Sequence, residues 1–226
     1  VPVYSLSTQT VTGADIKVGF SDFKPYPKTI TLPAADNISG RLFAHKNLKP
    51  QYYGFQMSEY QFNHTEKFPG FVGYLENYAA YDFNFLAFKT LNKRVYTISY
   101  FKRGQINTTL QIPLFEYKAV SVSPKESSIT TTAPYTAKTS YYNNHLPSQD
   151  DLRWEVTSPQ GSAPKITEIP ATIREKFPSI SLEIFEYQRT RFQRCVDGTT
   201  YLQKVDNDFK NAFRSTFEYY EFDSFE

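Results

Sequence analysis

One Cys, one Met, one Trp, three His and nine Gly among 226 residues leave this chain poor in the side chains that carry most protein chemistry. A single Cys195 rules out an intramolecular disulfide, so the fold rests on its own core or on neighbouring chains. His45, His64 and His145 stand far apart with no H-x-H, HExxH or C-x-x-C spacing, which offers no metal-ligand pattern. Neither G-x-x-x-x-G-K, G-x-G-x-x-G nor G-x-S-x-G occurs, so no cofactor or nucleotide motif is present. No apolar run reaches the roughly 18 residues of a membrane-spanning helix. A formal net charge of +2 supplies neither the strong field that steers nucleic acid nor the excess charge of a disordered chain. The last stretch, Asp206–Glu226, holds six acids against Lys210 and Arg214, which argues against phosphate binding at that end. Val1–Thr12 has neither the basic nor the apolar region of a signal peptide; a start at Val1 fits signal cleavage, polyprotein cleavage or a truncated sequence.

What the chain has is rings: 20 Phe and 18 Tyr. Each buries roughly 150–250 Å², and a Tyr can pack its ring while keeping its hydroxyl wet. Such a composition suits packing and adhesion better than catalysis.

Period-two alternation recurs along the sequence and predicts strands with one wet face, the habit of antiparallel sheets. It appears in Asp15–Phe20, Lys28–Leu32, Tyr81–Ala87 (Tyr81, Phe83, Phe85 and Ala87 on one face), Val95–Phe101 (Tyr96, Ile98, Tyr100) and Leu152–Val156. The cleanest case is Ile106–Leu114, with Pro113 marking an edge strand or a strand end. In Ile180–Tyr187 the apolar phase slips by one residue, as at a β-bulge. Helical signal is confined to a turn after Pro170, stopped by Pro178, and to a C-terminal segment. There Asp206 is positioned to cap a stripe of Phe209, Ala212, Phe213, Phe217 and Tyr220. Phe23–Lys28 reads as a Pro-rich loop between strands. The expected fold is mainly β: an antiparallel β-sandwich, the class that includes jelly rolls, with long extended loops and a short C-terminal helix. Residues 1–226 read as a single β-rich domain, with a Ser/Thr-rich loop or arm at 121–149 and a Pro-rich loop at 158–170.

Several constellations invite a chemical reading. Cys195 follows Arg189, Arg191 and Arg194; guanidinium groups favour thiolate, and His145 is the conceivable base, although a free Cys is more commonly a small buried hydrophobe. Arg189, Arg191 and Arg194, with Phe192 between them, form the only compact basic cluster; they either touch phosphates or pair with acids such as Glu183 and Glu186. A glycosidase needs two facing carboxylates, and Glu59, Glu66, Glu76, Asp82, Asp150, Asp151, Glu155 and Glu183 are available, but no spacing selects a pair. The N-x-[ST] sequons at Asn37, Asn63 and Asn107 are no more than such a composition yields by chance.

The sequence therefore points to a non-enzymatic structural subunit, a coat, shell or filament component such as a virus capsid protein. Such a subunit would associate with copies of itself or sister chains through aromatic-rich β surfaces, in a virion or extracellular assembly rather than as a cytoplasmic enzyme. The expected interface residues are Tyr135, Tyr141, Tyr142, Phe217, Tyr219 and Tyr220. A secreted module binding a glycan or other ligand is the alternative, and a glycoside hydrolase the third reading.

Overall fold

A computed structural model describes residues 3–4, 21, 23–48, 54–65, 67, 69–107, 110–111, 116–144, 152–210, 214 and 216–225. The protein is mainly β, built from antiparallel strands with a short helix near the C-terminus. The expected single domain is organised as two compact units: Val1–Ala87 with Lys102–Ile112, and Phe88–Phe101 with Pro113–Glu226.

The first unit holds β1 (Val3–Tyr4), β2 (Lys24–Pro25), β3 (Lys28–Thr31), β4 (Asn37–His45), β5 (Phe55–Asn63) and β6 (Phe71–Tyr74). β7 (Ala80–Leu91) and β8 (Arg94–Gly104) each contribute residues to both units. In the first unit the strand order runs β7-β4-β5, and β3 pairs separately with β6. Leu32 N–H donating to Gly70 O (2.9 Å) extends the β3–β6 pairing, and Tyr74 meeting Tyr81 of β7 edge-on ties the pair to the neighbouring sheet. Alternation decides what is buried: Tyr81, Phe83, Phe85 and Ala87 of β7 face inward with Ile38 and Leu42 of β4, while Asp82 and Asn84 face away. The turn joining β7 to β8 uses Asn92 and Lys93, both at positive φ (51° and 66°), the two-residue geometry that matches strand twist.

The second unit adds β9 (Tyr117–Val122), β10 (Ser127–Thr131), β11 (Ala137–Asn144), β12 (Arg153–Pro159), β13 (Phe185–Cys195) and β14 (Phe217–Phe225). Its sheet runs β12-β11-β13-β14-β8. The β9–β10 ribbon covers one face of it: Lys138 Nζ donates to Ile129 O (3.1 Å) and Tyr142 Oη to Ser123 O (3.4 Å). Tyr96, Ile98, Tyr100, Ile129, Tyr142, Phe192 and Phe222 are buried there. This two-layer packing of antiparallel strands is consistent with the expected sandwich.

Several expectations need correction. Residues 121–144 are not a loop or arm: they contain the end of β9, all of β10 and all of β11, and residues 145–149 lie outside the described residues. Thr and Ser in this stretch act as strand formers: in β11 Thr139 alternates with Lys138, Ser140 and Tyr142, which are buried on the ribbon side. The described part of Ile106–Leu114 is not a strand, because β8 ends at Gly104 (φ 140°), a backbone turn few other residues adopt. The phase slip at Ile180–Tyr187 is a 3-10 turn, Leu182–Ile184; the bulge comes later, where Tyr141 faces Arg189 but Tyr142 faces Tyr187, leaving Gln188 extra. Asp15–Phe20 lies outside the described residues.

Helix α1 (Ala171–Lys176) follows Pro170 as the sequence suggests. Helix α2 spans Tyr201–Lys210 and starts before Asp206, which sits inside it; Phe217 and Tyr220 belong to β14. Its start is a capping box: Gln203 Oε1 accepts from Thr200 N–H (2.9 Å) while Thr200 Oγ1 accepts from Gln203 N–H (3.4 Å).

Lys138 carries a testable consequence. It is 4% exposed, its Nζ has Ile129 O as its acceptor, and across the strand pair stands Ser158, whose Oγ has no partner among the described residues. Burial pushes the Lys138 pKa below its ordinary 10.5. The unfolded chain then binds the extra proton, so stability rises as pH climbs from the lowered folded value towards 10.5. Replacing Lys138 by Met is expected to remove that rise and to leave stability at pH 7 equal or higher, read from urea midpoints between pH 7 and 10. An unchanged rise in the variant would show that Lys138 is not its source.

Candidate interaction surfaces

The second unit's sheet has an outer face, opposite the ribbon, and it gathers most of the residues singled out in the sequence. Strand parity places Tyr141 and Thr139 of β11, Arg189 and Arg191 of β13, Arg153 and Glu155 of β12, and Glu221 and Asp223 of β14 on this face. Three guanidinium carbons surround the Tyr141 ring, at 4.6 Å (Arg153), 5.3 Å (Arg189) and 5.8 Å (Arg191) from its centroid. Their acidic partners are not the expected Glu183 and Glu186. Arg191 donates Nη1 to Glu221 Oε2 (3.3 Å) and sets Nε 3.6 Å from Asp223 Oδ2, which Arg189 Nη1 also approaches at 3.6 Å. Glu183 instead pairs with Lys125. Burial pushes both the Glu221 and the Asp223 carboxyl above their ordinary values, and nearby arginines only partly offset this. Arg194 leaves the cluster: one residue out of parity, it sits opposite Tyr220 on the other face.

The expected interface rings divide. Tyr142 is fully buried, edge-on to Tyr187, and Tyr135 is buried edge-on to Phe192 while its Oη accepts from Gly161 N–H (3.3 Å); core packing takes both out of the candidate surface. Phe217, Tyr219 and Tyr220 are half-buried. Tyr219 stacks on Phe101 (5.1 Å), Tyr220 lies against Tyr100 (4.7 Å), and Phe217 contacts Tyr219 with Arg214 over its ring. Burial pushes both Tyr219 and Tyr220 up to about 12.

Sequence reasoning missed helix α2 as a surface. The helix turns Lys204 inward, its side chain only 15% exposed and paired with Asp208, and half-buried Tyr201 donates Oη to Thr157 O (3.2 Å), while Gln203, Asp206 and Asp208 are exposed. Its aliphatic residues turn outward, Leu202 at 75% and Val205 at 40% exposure, one helical turn apart on the same face. A helix on a globular surface ordinarily shows the reverse. Beside it lies a polar cleft of about 400 Å³ lined by Asp197, Gln203, Asp206, Asn207, Arg214 and Thr216. Asp197 is anchored there by Thr199 N–H (3.0 Å), Glu218 N–H (3.2 Å) and Arg214 Nη2 (3.2 Å).

The scarce chemical residues are held in place. In the first unit Arg103 grips Asp82 with two bonds of 2.6 Å, and His45 Nε2 lies 3.0 Å from the same carboxylate. Among the other acids available to a glycosidase, Glu59 pairs with Arg41, Glu76 with Lys28 and Glu155 with Arg153; Glu66, Asp150 and Asp151 lie outside the described residues. The Cys195 thiol is pushed up by burial, the reverse of thiolate activation, and His145 is outside the described residues. Among the described residues no group of three or more His, Cys, Asp or Glu could hold a metal ion, and no helix is long and apolar enough to cross a membrane. Asn37 and Asn63 face each other across β4 and β5, with Asn37 Nδ2 donating to Asn63 Oδ1 (2.6 Å).

Set against protein-family models, curated proteins and solved structures, the chain matches none.

Proposed function

We propose that this protein is a non-enzymatic structural subunit that assembles with copies of itself, as the subunits of a coat, shell or filament do. The observation that carries the reading is helix α2, which offers Leu202 and Val205 to the outside while Lys204 turns inward. A solvent-facing aliphatic stripe costs free energy in an isolated chain and is recovered when a second surface covers it. Phe177 and Val196 in the same unit, and Phe55 and Phe71 in the other, are further exposed apolar side chains. Of the rings expected to form the contact, Tyr135 and Tyr142 pack the second unit, so the contact falls to these exposed residues and to half-buried Phe217, Tyr219 and Tyr220.

Sedimentation velocity at micromolar concentration tests it. The wild-type chain is expected to sediment as an oligomer, and the Leu202→Asp, Val205→Asp double variant as a monomer with an unchanged far-ultraviolet spectrum. A wild-type monomer across the accessible concentration range ends the reading.

The polar cleft favours the alternative of a ligand-binding module. Its size falls in the usual range of about 300–1,000 Å³, and its carboxylates, amides and guanidinium suit a polyhydroxylated ligand better than an apolar one. A monomer that binds a glycan in a manner sensitive to Asp206→Ala would move the assignment there.

A further inference from the structure

Arg153 and Arg191 are held by acids and Arg189 stands near one, and each of the three keeps unused donors. Arg153 directs Nε to Glu155 Oε1 (2.7 Å), Arg189 directs Nη1 towards Asp223, and Arg191 directs Nε towards Asp223 and Nη1 to Glu221. No Nη2 group of the three has a partner among the described residues. A guanidinium carries five N–H donors in a rigid fork, so one anchored edge fixes the plane and leaves the remaining donors pointed in a set direction. Here three such forks lie around one aromatic ring, from the two strands that flank it, Arg153 on β12 and Arg189 and Arg191 on β13.

The acids on this face engage the three arginines unequally, with Glu155 on Arg153, Glu221 on Arg191 and Asp223 nearest to Arg189 and Arg191. Asp223 stays 3.6 Å from both guanidinium groups, beyond a direct hydrogen bond, and its Oδ1 has no partner among the described residues. Its side chain is only 5% exposed, against 33% and 32% for Arg189 and Arg191. The Asp223 charge therefore lies beneath Arg189 and Arg191, while Glu155, 46% exposed, and Glu221, 23% exposed, lie level with Arg153 and Arg191. A single carboxylate ligand is satisfied by one bidentate fork. Three forks from different directions call for an acceptor with oxygens pointing several ways.

We infer that Arg153, Arg189 and Arg191, arrayed around Tyr141 on the outer face of the second unit, form a binding site for a tetrahedral oxyanion, a phosphate or sulfate group. Arg153 and Arg189 supply the donors with the fewest competing partners, and Arg191 is the most fully engaged with protein acids. Tyr141 acts as the spacer that keeps the guanidinium groups apart and stacked. This site is separate from helix α2's aliphatic stripe and stands or falls independently of self-assembly.

Titration of the full chain with sodium phosphate and, in a parallel arm, sodium sulfate at constant ionic strength tests it, followed through the arginine Nε–Hε resonances in ¹H–¹⁵N spectra. Saturable shifts confined to Arg153, Arg189 and Arg191 are expected in both arms. Saturation with one salt alone narrows the ligand to that group and upholds the site. Arg189→Gln and Arg153→Gln are each expected to weaken binding about five- to tenfold, the scale of one charge-assisted hydrogen bond. Arg174→Gln, on helix α1 and paired with Glu168, serves as the control and leaves affinity unchanged. Should either Gln variant misfold, Arg189→Lys keeps the charge without the fork and is expected to bind several-fold more weakly. Shifts that stay linear into tens of millimolar salt, or equal affinity in the Gln variants, overturn the inference.

Discussion

Gly40→Ala is expected to cost the first unit about 3 kcal/mol or more, the upper end of what overpacking does to a close-packed interior. A methyl group at this position in β4 would lie 2.1 Å from Asn84 O, 2.9 Å from Phe85 Cα and 2.6 Å from Tyr60 Oη. Two of these obstacles are backbone atoms of β7, so no rotamer change relieves the contact. Tyr60 Oη donates to Asn84 O (2.9 Å), and burial holds the phenol well above its ordinary pKa. The added carbon would therefore displace both the neighbouring strand and the Tyr60–Asn84 bond that helps to lock it. Gly161→Ala is the matched comparison: φ is +76° but nothing lies within 4 Å of the added carbon, so only the conformational penalty of about 1–2 kcal/mol applies. Urea denaturation of both variants separates the two causes. A Gly40→Ala loss no larger than that of Gly161→Ala would mean that β4 and β7 are not packed as closely as described.

The first unit also shows how far the sequence could be read. Tyr81, Phe83, Phe85 and Ala87 alternate in sequence and all four are buried, because one face of β7 meets the core along that whole stretch. Tyr96, Ile98 and Tyr100 behave the same way in the second unit. Ile106–Leu114 has better alternation than either, yet its described residues form no strand, since periodicity records only which residues would share a face and not whether a partner strand exists. Helix α2 was misplaced for a different reason. A search for an apolar stripe aimed at the core cannot find a helix whose aliphatic residues point outward. Thr200-x-x-Gln203 marked its start all along.

The oxyanion site was half legible. Arg189 and Arg191 lie two residues apart and so must share a strand face, and Arg194 falls out of step by the same counting. Arg153 comes from two strands away, through a register fixed by Tyr141 opposite both Glu155 and Arg189. No local pattern encodes that register. The acids beside Arg189 and Arg191 come from β14, about thirty residues downstream, and they reach the cluster only because Phe192 pairs with Phe222.

That last pair supports the second large effect. Phe192→Ala is expected to destabilise the second unit by about 3–5 kcal/mol, the usual cost of emptying a buried aromatic site. Phe192 is fully buried, stacks on Phe222 at 5.4 Å with planes 14° apart, and meets Tyr135 edge-on at 5.0 Å. It is also the residue through which β13 registers with both Lys138 of β11 and Phe222 of β14. Truncation leaves a cavity against two rings that backbone pairing holds in place, so collapse can recover little of the lost contact. Phe192→Leu keeps most of the volume and should cost less, about 1.5 kcal/mol. Because the outer face of the same strand carries Arg189 and Arg191, the Ala variant at a temperature where it remains folded should also loosen their spacing around Tyr141. Phosphate affinity is then expected to fall in Phe192→Ala and to stay near wild type in Phe192→Leu. A cost below about 1 kcal/mol for Phe192→Ala would place it with ordinary surface changes and remove this ring from the core of the second unit.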